Sequence, residues 1–323
     1  MSAGSNPFID EAPPEKAEKP KLEGERIHVT GVDRWLECGF RDDQYRKREW
    51  LEPFTPAKIR GHAVHAAREM ALKHFRKHGA LPSVEDCRGR ADATVREETK
   101  SAEDLGDAAI QAEADAIAAD ARTYAEADRQ GVLPSLAPHV IEVEETIEVQ
   151  IAGEGLRGVY VLSGRPDAIA RSPVDGRLAV PDLKTSAIAP SAASVNASTQ
   201  HSLYSALVQS KFGEVAAHSI DHIRTLKTSP RSPLKPNQKL IPLSSGSAVL
   251  TRIPTDRTAD DIAAALRRLR FVLDAREQGF APPAAASFMS PCHRCPHRGA
   301  ADKSQRCPWV PASKAGEGNE SDE

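Results

Sequence analysis

Two periods divide the chain. From Ile27 to about Ala127, apolar residues recur three or four apart, as on one side of a helix, whereas from His139 they alternate with polar ones, as on half-buried strands. The run from Ile27 to Phe40 predicts a short helix with Thr30 or Asp33 as its cap and Cys38 at its end, and the charged stretch Arg41 to Arg48 continues as a surface helix. Pro56 to His78 predicts a longer helix, capped by Thr55 and closed by Gly79, with Ile59, Val64, Ala67, Met70, Ala71 and Phe75 along one side and His65 on or beside it. Gly61 in its interior costs about 1 kcal/mol relative to alanine, so close packing is expected there. Residues 83–130, rich in Ala, Glu and Asp, predict two helices forming an acidic lobe that serves as scaffold or lid, with Cys87 as a plain thiol.

In the alternating half, VIEVEETIEVQIA, LRGVYVLSGRPDAIAR and RLAVPDLKT predict three consecutive antiparallel strands, with turns at Gly153-Glu154-Gly155 and Asp175-Gly176. A helix from Ala197 to Phe212, stopped by Gly213, precedes the strand AHSIDHIRTLKT. A Pro-rich basic connection, SPRSPLKPNQK, leads to the strand SAVLTRIP, and a last helix runs from Thr258 to about Gln278 with Asp260 and Asp261 in its first turn. Both ends, residues 1–24 and 311–323, have the composition of disordered segments.

Composition narrows the class. The chain has 323 residues and 40% hydrophobic content, enough for one large globular domain or two. It holds no apolar run near the ~20 residues of a membrane helix, and its polar, Pro/Glu/Lys-rich beginning reads against a secretory signal, so a cytoplasmic location is expected. Five cysteines in such a chain point to free thiols or metal ligands before disulfides. Charge is uneven under a net value of −3: 17 acidic residues face 6 basic ones between Glu85 and Gln150, and 17 basic face 8 acidic between Lys184 and Val310. The basic half is compatible with a polyanion lying across one face, as it is with a solvated mixed surface.

The chemistry begins at Asp182-Leu183-Lys184. On a strand, Asp182 and Lys184 project to one side and Leu183 to the other. A second acid, Asp167, arrives in Gly164-Arg165-Pro166-Asp167, so two carboxylates and an amine converge where a hairpin opens. That set would hold a divalent ion and keep an ammonium group near its water. The plain alternatives are a strand-surface ion pair for Asp182 and Lys184, and a hydrogen-bonded histidine at the edge of the core for His65.

Taken in order, Gly61-x3-His65, Gly164-Arg165-Pro166-Asp167, Asp182-Leu183-Lys184 and Gln200-x3-Tyr204 resemble the PD-(D/E)XK nuclease superfamily, in particular its RecB-like exonuclease branch with CRISPR-associated and phage members. The likeness runs from Thr30 to Trp309, leaving out the acidic lobe and both tails. It implies an α/β restriction-endonuclease-like core, a mixed, mostly antiparallel sheet flanked by helices, within a RecB-like nuclease domain at 25–310. It further implies Mg2+ or Mn2+ held by His65, Asp167, Asp182 and the carbonyl of Leu183, Lys184 orienting or activating the water, and Gln200 and Tyr204 ordering the site and the DNA backbone.

In some such nucleases one N-terminal and three C-terminal cysteines bind a [4Fe-4S] cluster, and Cys38, Cys292, Cys295 and Cys307 match that set. The long gap between Cys295 and Cys307, with His293 and His297 close by, keeps a zinc site open as the alternative. The implied activity is metal-dependent exonucleolytic cleavage of DNA, single-stranded or at duplex ends, in phage or cellular recombination and repair. A single-strand annealing protein or a helicase is the implied partner. The alternatives are a non-cleaving iron-sulfur DNA-binding protein and a nuclease subunit of a CRISPR-adaptation or helicase complex.

Overall fold

The computed structural model describes residues 22–47, 53–104, 108–151, 156–227, 230, 232–282 and Cys307. The N-terminal arm up to residue 21, the turn at residues 153–155, Cys292, Cys295 and the acidic tail lie outside the described residues.

The N-terminal half is helical after one short strand: β1 (Glu25–His28), α1 (Val29–Glu37), α2 (Gly39–Arg46), α3 (Pro56–His78), α4 (Val84–Asp104), α5 (Ala108–Ala112), α6 (Ala114–Gly131) and α7 (Leu133–Leu136). The cap signals at α3 act as read: Thr55 accepts the Lys58 N–H at 3.2 Å, and Gly79 closes the helix in the left-handed conformation. At α1 the residue before the helix is His28, which offers no side-chain cap, so neither Thr30 nor Asp33 fills that role. Nothing lies within 4 Å of where a Cβ on Gly61 would sit, so the close packing expected there is absent among the described residues.

The sheet half comprises β2 (Val140–Val143), β3 (Ile147–Ile151), β4 (Tyr160–Gly164), β5 (Ala168–Arg171), β6 (Leu178–Thr185), α8 (Ala192–Asn196), α9 (Thr199–Phe212), β7 (Ala217–Leu226), β8 (Gln238–Leu243), β9 (Gly246–Thr255) and α10 (Ala259–Glu277). Two of the three long strands expected from the alternation are each broken in two. The first run parts after Val143, where Glu144 takes φ of 50°; the second parts at Arg165-Pro166-Asp167, where the proline has no N–H to give a ladder. Their halves enter different sheets, one of three strands in the order β1-β4-β3 and one of six in the order β2-β5-β6-β7-β9-β8. The six-stranded sheet is antiparallel except for the β6–β7 pair, whose parallel crossover carries α8 and α9. Part of the basic connection and the residues after it form β8, which hairpins with β9.

Each face of that sheet buries its own core. On one face Leu183, Ile223, Ala248 and Leu250 pack with α3, α4 and α6, so the acidic lobe is part of the main core and not an appendage. On the other, Ile169, Leu178 and Val180 pack with α1, α9 and α10 and with the small sheet. The chain therefore forms the mixed α/β class expected, sheets flanked by helices. Among the described residues no helix is long and apolar enough to cross a membrane.

Candidate metal centre

The β5–β6 ladder pairs Ala170 with Ala179 and Arg171 with Leu178, then stops. Sequence supplies a reason. Residues 179, 181 and 183 turn their backbone N–H toward β5, and Pro181 has none, so the ladder loses a donor where it would continue. The next N–H on that side, from Leu183, goes to the carboxylate of Asp167, Oδ2 at 3.1 Å, in place of a backbone carbonyl. Asp167 is thereby fixed in an open seam between two strands.

Helices reach that seam from both faces. From α3, His65 brings Nδ1 to 3.2 Å of Asp167 Oδ1. From α9, the Tyr204 hydroxyl donates to the Arg165 carbonyl at 3.5 Å and shares a hydrogen bond with the Gln200 side chain. Close approach of α9 requires a glycine: a Cβ on Gly164 would meet Leu207 Cδ1 at 2.5 Å and the Tyr204 ring at 2.9 Å. The start of α9 is held by Ser198, which caps it, and by Asp33, which accepts the Gln200 N–H.

Lys184 and Asp182 stand together on the face away from Leu183, Nζ lying 3.0 Å from Oδ1 and 2.9 Å from Oδ2. The strand ion pair weighed from the sequence is thus present. Burial opposes the Lys184 charge, but Asp182, and Asp167 beyond it, outweigh burial and raise its pKa.

One residue of the centre was not read from the sequence. Glu144, at the break between β2 and β3, brings a carboxylate oxygen to a position where it, a His65 ring nitrogen and an Asp167 oxygen all lie within 4.8 Å of one another. Its backbone N–H donates to the Asp167 carbonyl at 3.2 Å, which ties the two breaks together. The available signal was the doublet Glu144-Glu145, which interrupts the period of two after Val143. Asp182 is not a member of this close group, although its charge is felt at His65.

Electrostatics set the two carboxylates of the seam apart. Burial and then the charge of Asp167 push Glu144 up to about 7. Burial likewise works against Asp167, yet His65, Arg68 and the Leu183 N–H more than offset it and hold that carboxyl well below the usual range. Burial disfavours protonated His65, but Asp167 prevails and raises its pKa. Two carboxylates and an imidazole facing one point form a donor set that suits Mn2+ or Mg2+, and a cation would relieve the Glu144–Asp167 repulsion. Two surface concavities, of about 420 and 600 Å3, are lined by residues including Lys239 and Arg252, and His74 and Asp86, and take in none of these side chains.

Among the described cysteines, Cys38 sits half-buried between α1 and α2, Cys307 is buried, and Cys87 is a buried thiol inside the helical core, pushed up to about 11 by burial. Phe40 donates its N–H to the Pro282 carbonyl at 3.1 Å, so the chain leaving α10 passes beside Cys38.

No family model and no curated protein matches this chain. Among solved structures, it is similar to a Eubacterium rectale protein provisionally assigned as an exonuclease, at 13% identity and a TM-score of 0.45 over 84% of this chain and 88% of the other. A second, SSO0001, is similar at 14% identity and a TM-score of 0.32, covering 78% and 77%. Likenesses this distant do not bear on the chemistry.

Proposed function

We propose that the protein is a metal-dependent deoxyribonuclease of the RecB-like PD-(D/E)XK type, acting in the cytoplasm on DNA ends or single strands. The observation that carries this reading is the convergence of His65, Asp167 and Glu144 in the seam beside the Asp182–Lys184 pair. His65, Asp167 and Glu144 would hold Mg2+ or Mn2+, with Asp182 and the Leu183 carbonyl next to them. The ion, when bound, supplies charge neutralisation at a phosphate oxygen and a more acidic water. Lys184, kept protonated by Asp182, would orient a water at the centre and meet charge building on the phosphate. Gln200 and Tyr204 keep Arg165 and the seam in place. Part-exposed His65 and Lys184 leave the seam within reach of an extended substrate such as a nucleic-acid backbone.

With Mn2+ and single-stranded or duplex DNA, wild type cleaves. Asp182→Ala and Lys184→Ala remain folded and bind DNA but do not cut. Undiminished cleavage by purified Asp182→Ala rejects the mechanism, and binding without cleavage by wild type favours the non-cutting DNA-binding alternative.

The second part of the proposal is a [4Fe-4S] cluster on Cys38, Cys292, Cys295 and Cys307, with zinc as the alternative. Passage of the chain beside Cys38 after α10 supports it. Metal ligation would then contribute folding free energy to the C-terminal segment. Purified protein should be brown and contain iron, and Cys38→Ser should lose the visible absorption; a colourless protein with one zinc per chain selects the alternative. An annealing protein or a helicase supplied in trans is the partner class that fits a nuclease domain of this kind.

A further inference from the structure

The three acids around the end of β2 differ in what they serve. Glu142 lies 3.5 Å from both Arg76 Nη1 and Lys211 Nζ, and Glu145 lies 3.2 Å from Lys211 Nζ. These are ion pairs away from the metal-facing group. Glu144 holds Arg165, Nε to Oε2 at 2.8 Å, and at the same time faces His65 and Asp167. A cation held at Glu144 would draw on the same carboxylate charge and weaken its hold on the guanidinium.

The two partners are unequally free. Glu144 is nearly enclosed, its side chain 11% exposed, whereas that of Arg165 is 65% exposed. The Arg165 backbone is pinned, its carbonyl accepting from Tyr204 and its chain continuing into Pro166 and the fixed Asp167. Any exchange therefore moves the guanidinium and leaves the strand break where it is. A guanidinium released here would remain near the Glu144, His65 and Asp167 donor atoms, within reach of a phosphate drawn to a bound cation, and its planar fork suits two phosphate oxygens.

We propose that Arg165 is an exchangeable phosphate ligand: it occupies Glu144 when the seam lacks metal, and metal binding frees it to take a phosphate of the DNA backbone. This rests on the nuclease reading and adds to it an order of events, metal before substrate. Without metal the arginine also keeps Glu144 from standing as an uncompensated buried acid.

Binding experiments separate this role from that of an ordinary surface charge. With Ca2+ in place of Mn2+, Arg165→Ala should bind a short DNA about three- to tenfold more weakly than wild type, with the salt dependence reduced by about one contact. In EDTA the two proteins should bind DNA equally, because the wild-type guanidinium is then held by Glu144. Without DNA, Arg165→Ala should bind Mn2+ about two- to fivefold more tightly, and the gain should vanish in a Glu144→Gln background. An equal loss of DNA affinity with and without metal makes Arg165 a fixed contact and overturns the proposal, as does Mn2+ affinity that the substitution leaves unchanged or weakens. Failure of wild type to bind DNA under any condition defeats the nuclease reading and the phosphate half of this inference. The Mn2+ arm still decides whether Arg165 and the ion compete for Glu144.

Discussion

Arg68 and His65 lie one turn apart on α3 and each faces an aspartate, but in different surroundings. Arg68 meets Asp128 of α6 through two bonds, at 3.0 and 2.5 Å, with both side chains at most 2% exposed. His65 meets Asp167 through one contact, 29% and 15% exposed, beside a second acid. In the first pair the charges cancel and the geometry is closed; in the second, a single part-exposed contact leaves Asp167 beside Glu144, whose pKa burial and Asp167 push up. Helical lobe and seam thus use the same residue classes for opposite ends. One locks α3 to α6, and the other leaves carboxylates ready for an ion.

The largest expected effect lies in the lobe. Arg68→Ala leaves Asp128 buried without its cation, a loss of about 3–5 kcal/mol in denaturant unfolding, whereas His65→Ala in the same assay should cost far less and act on metal binding. Similar losses for the two would erase the distinction. A smaller effect lies behind the seam: Gly164→Ala forces a Cβ into Leu207 and Tyr204, at a cost of about 1–3 kcal/mol, and should lower activity beyond what stability explains because α9 shifts.

Local signals in the sequence carried far. The Thr55 and Gly79 ends of α3 and the glycine after α9 are short-range devices, and each acts as read, whereas the capping box that Thr258 forms with Asp261 at the start of α10 was not read. Asp182 and Lys184 share a face because strand alternation requires it. What stayed hidden depends on contacts between distant residues. Arg68 and Asp128 are 60 positions apart, and nothing near either announces the other. The parting of the long strands at Glu144 and Asp167 depends on two sheets competing for one alternating run, and Glu144 joins the centre only through that parting. β8 was concealed by the prolines around it, although Gln238–Leu243 occupies an edge, where a strand tolerates Pro242.

The centre is tested most directly by Mn2+ binding to wild type, Asp167→Asn and Arg68→Lys, each without DNA and followed by electron paramagnetic resonance. The account predicts one Mn2+ per chain at the seam in wild type and in folded Arg68→Lys, and its loss in folded Asp167→Asn. Retention of that ion by Asp167→Asn, or no bound ion in wild type, would contradict it.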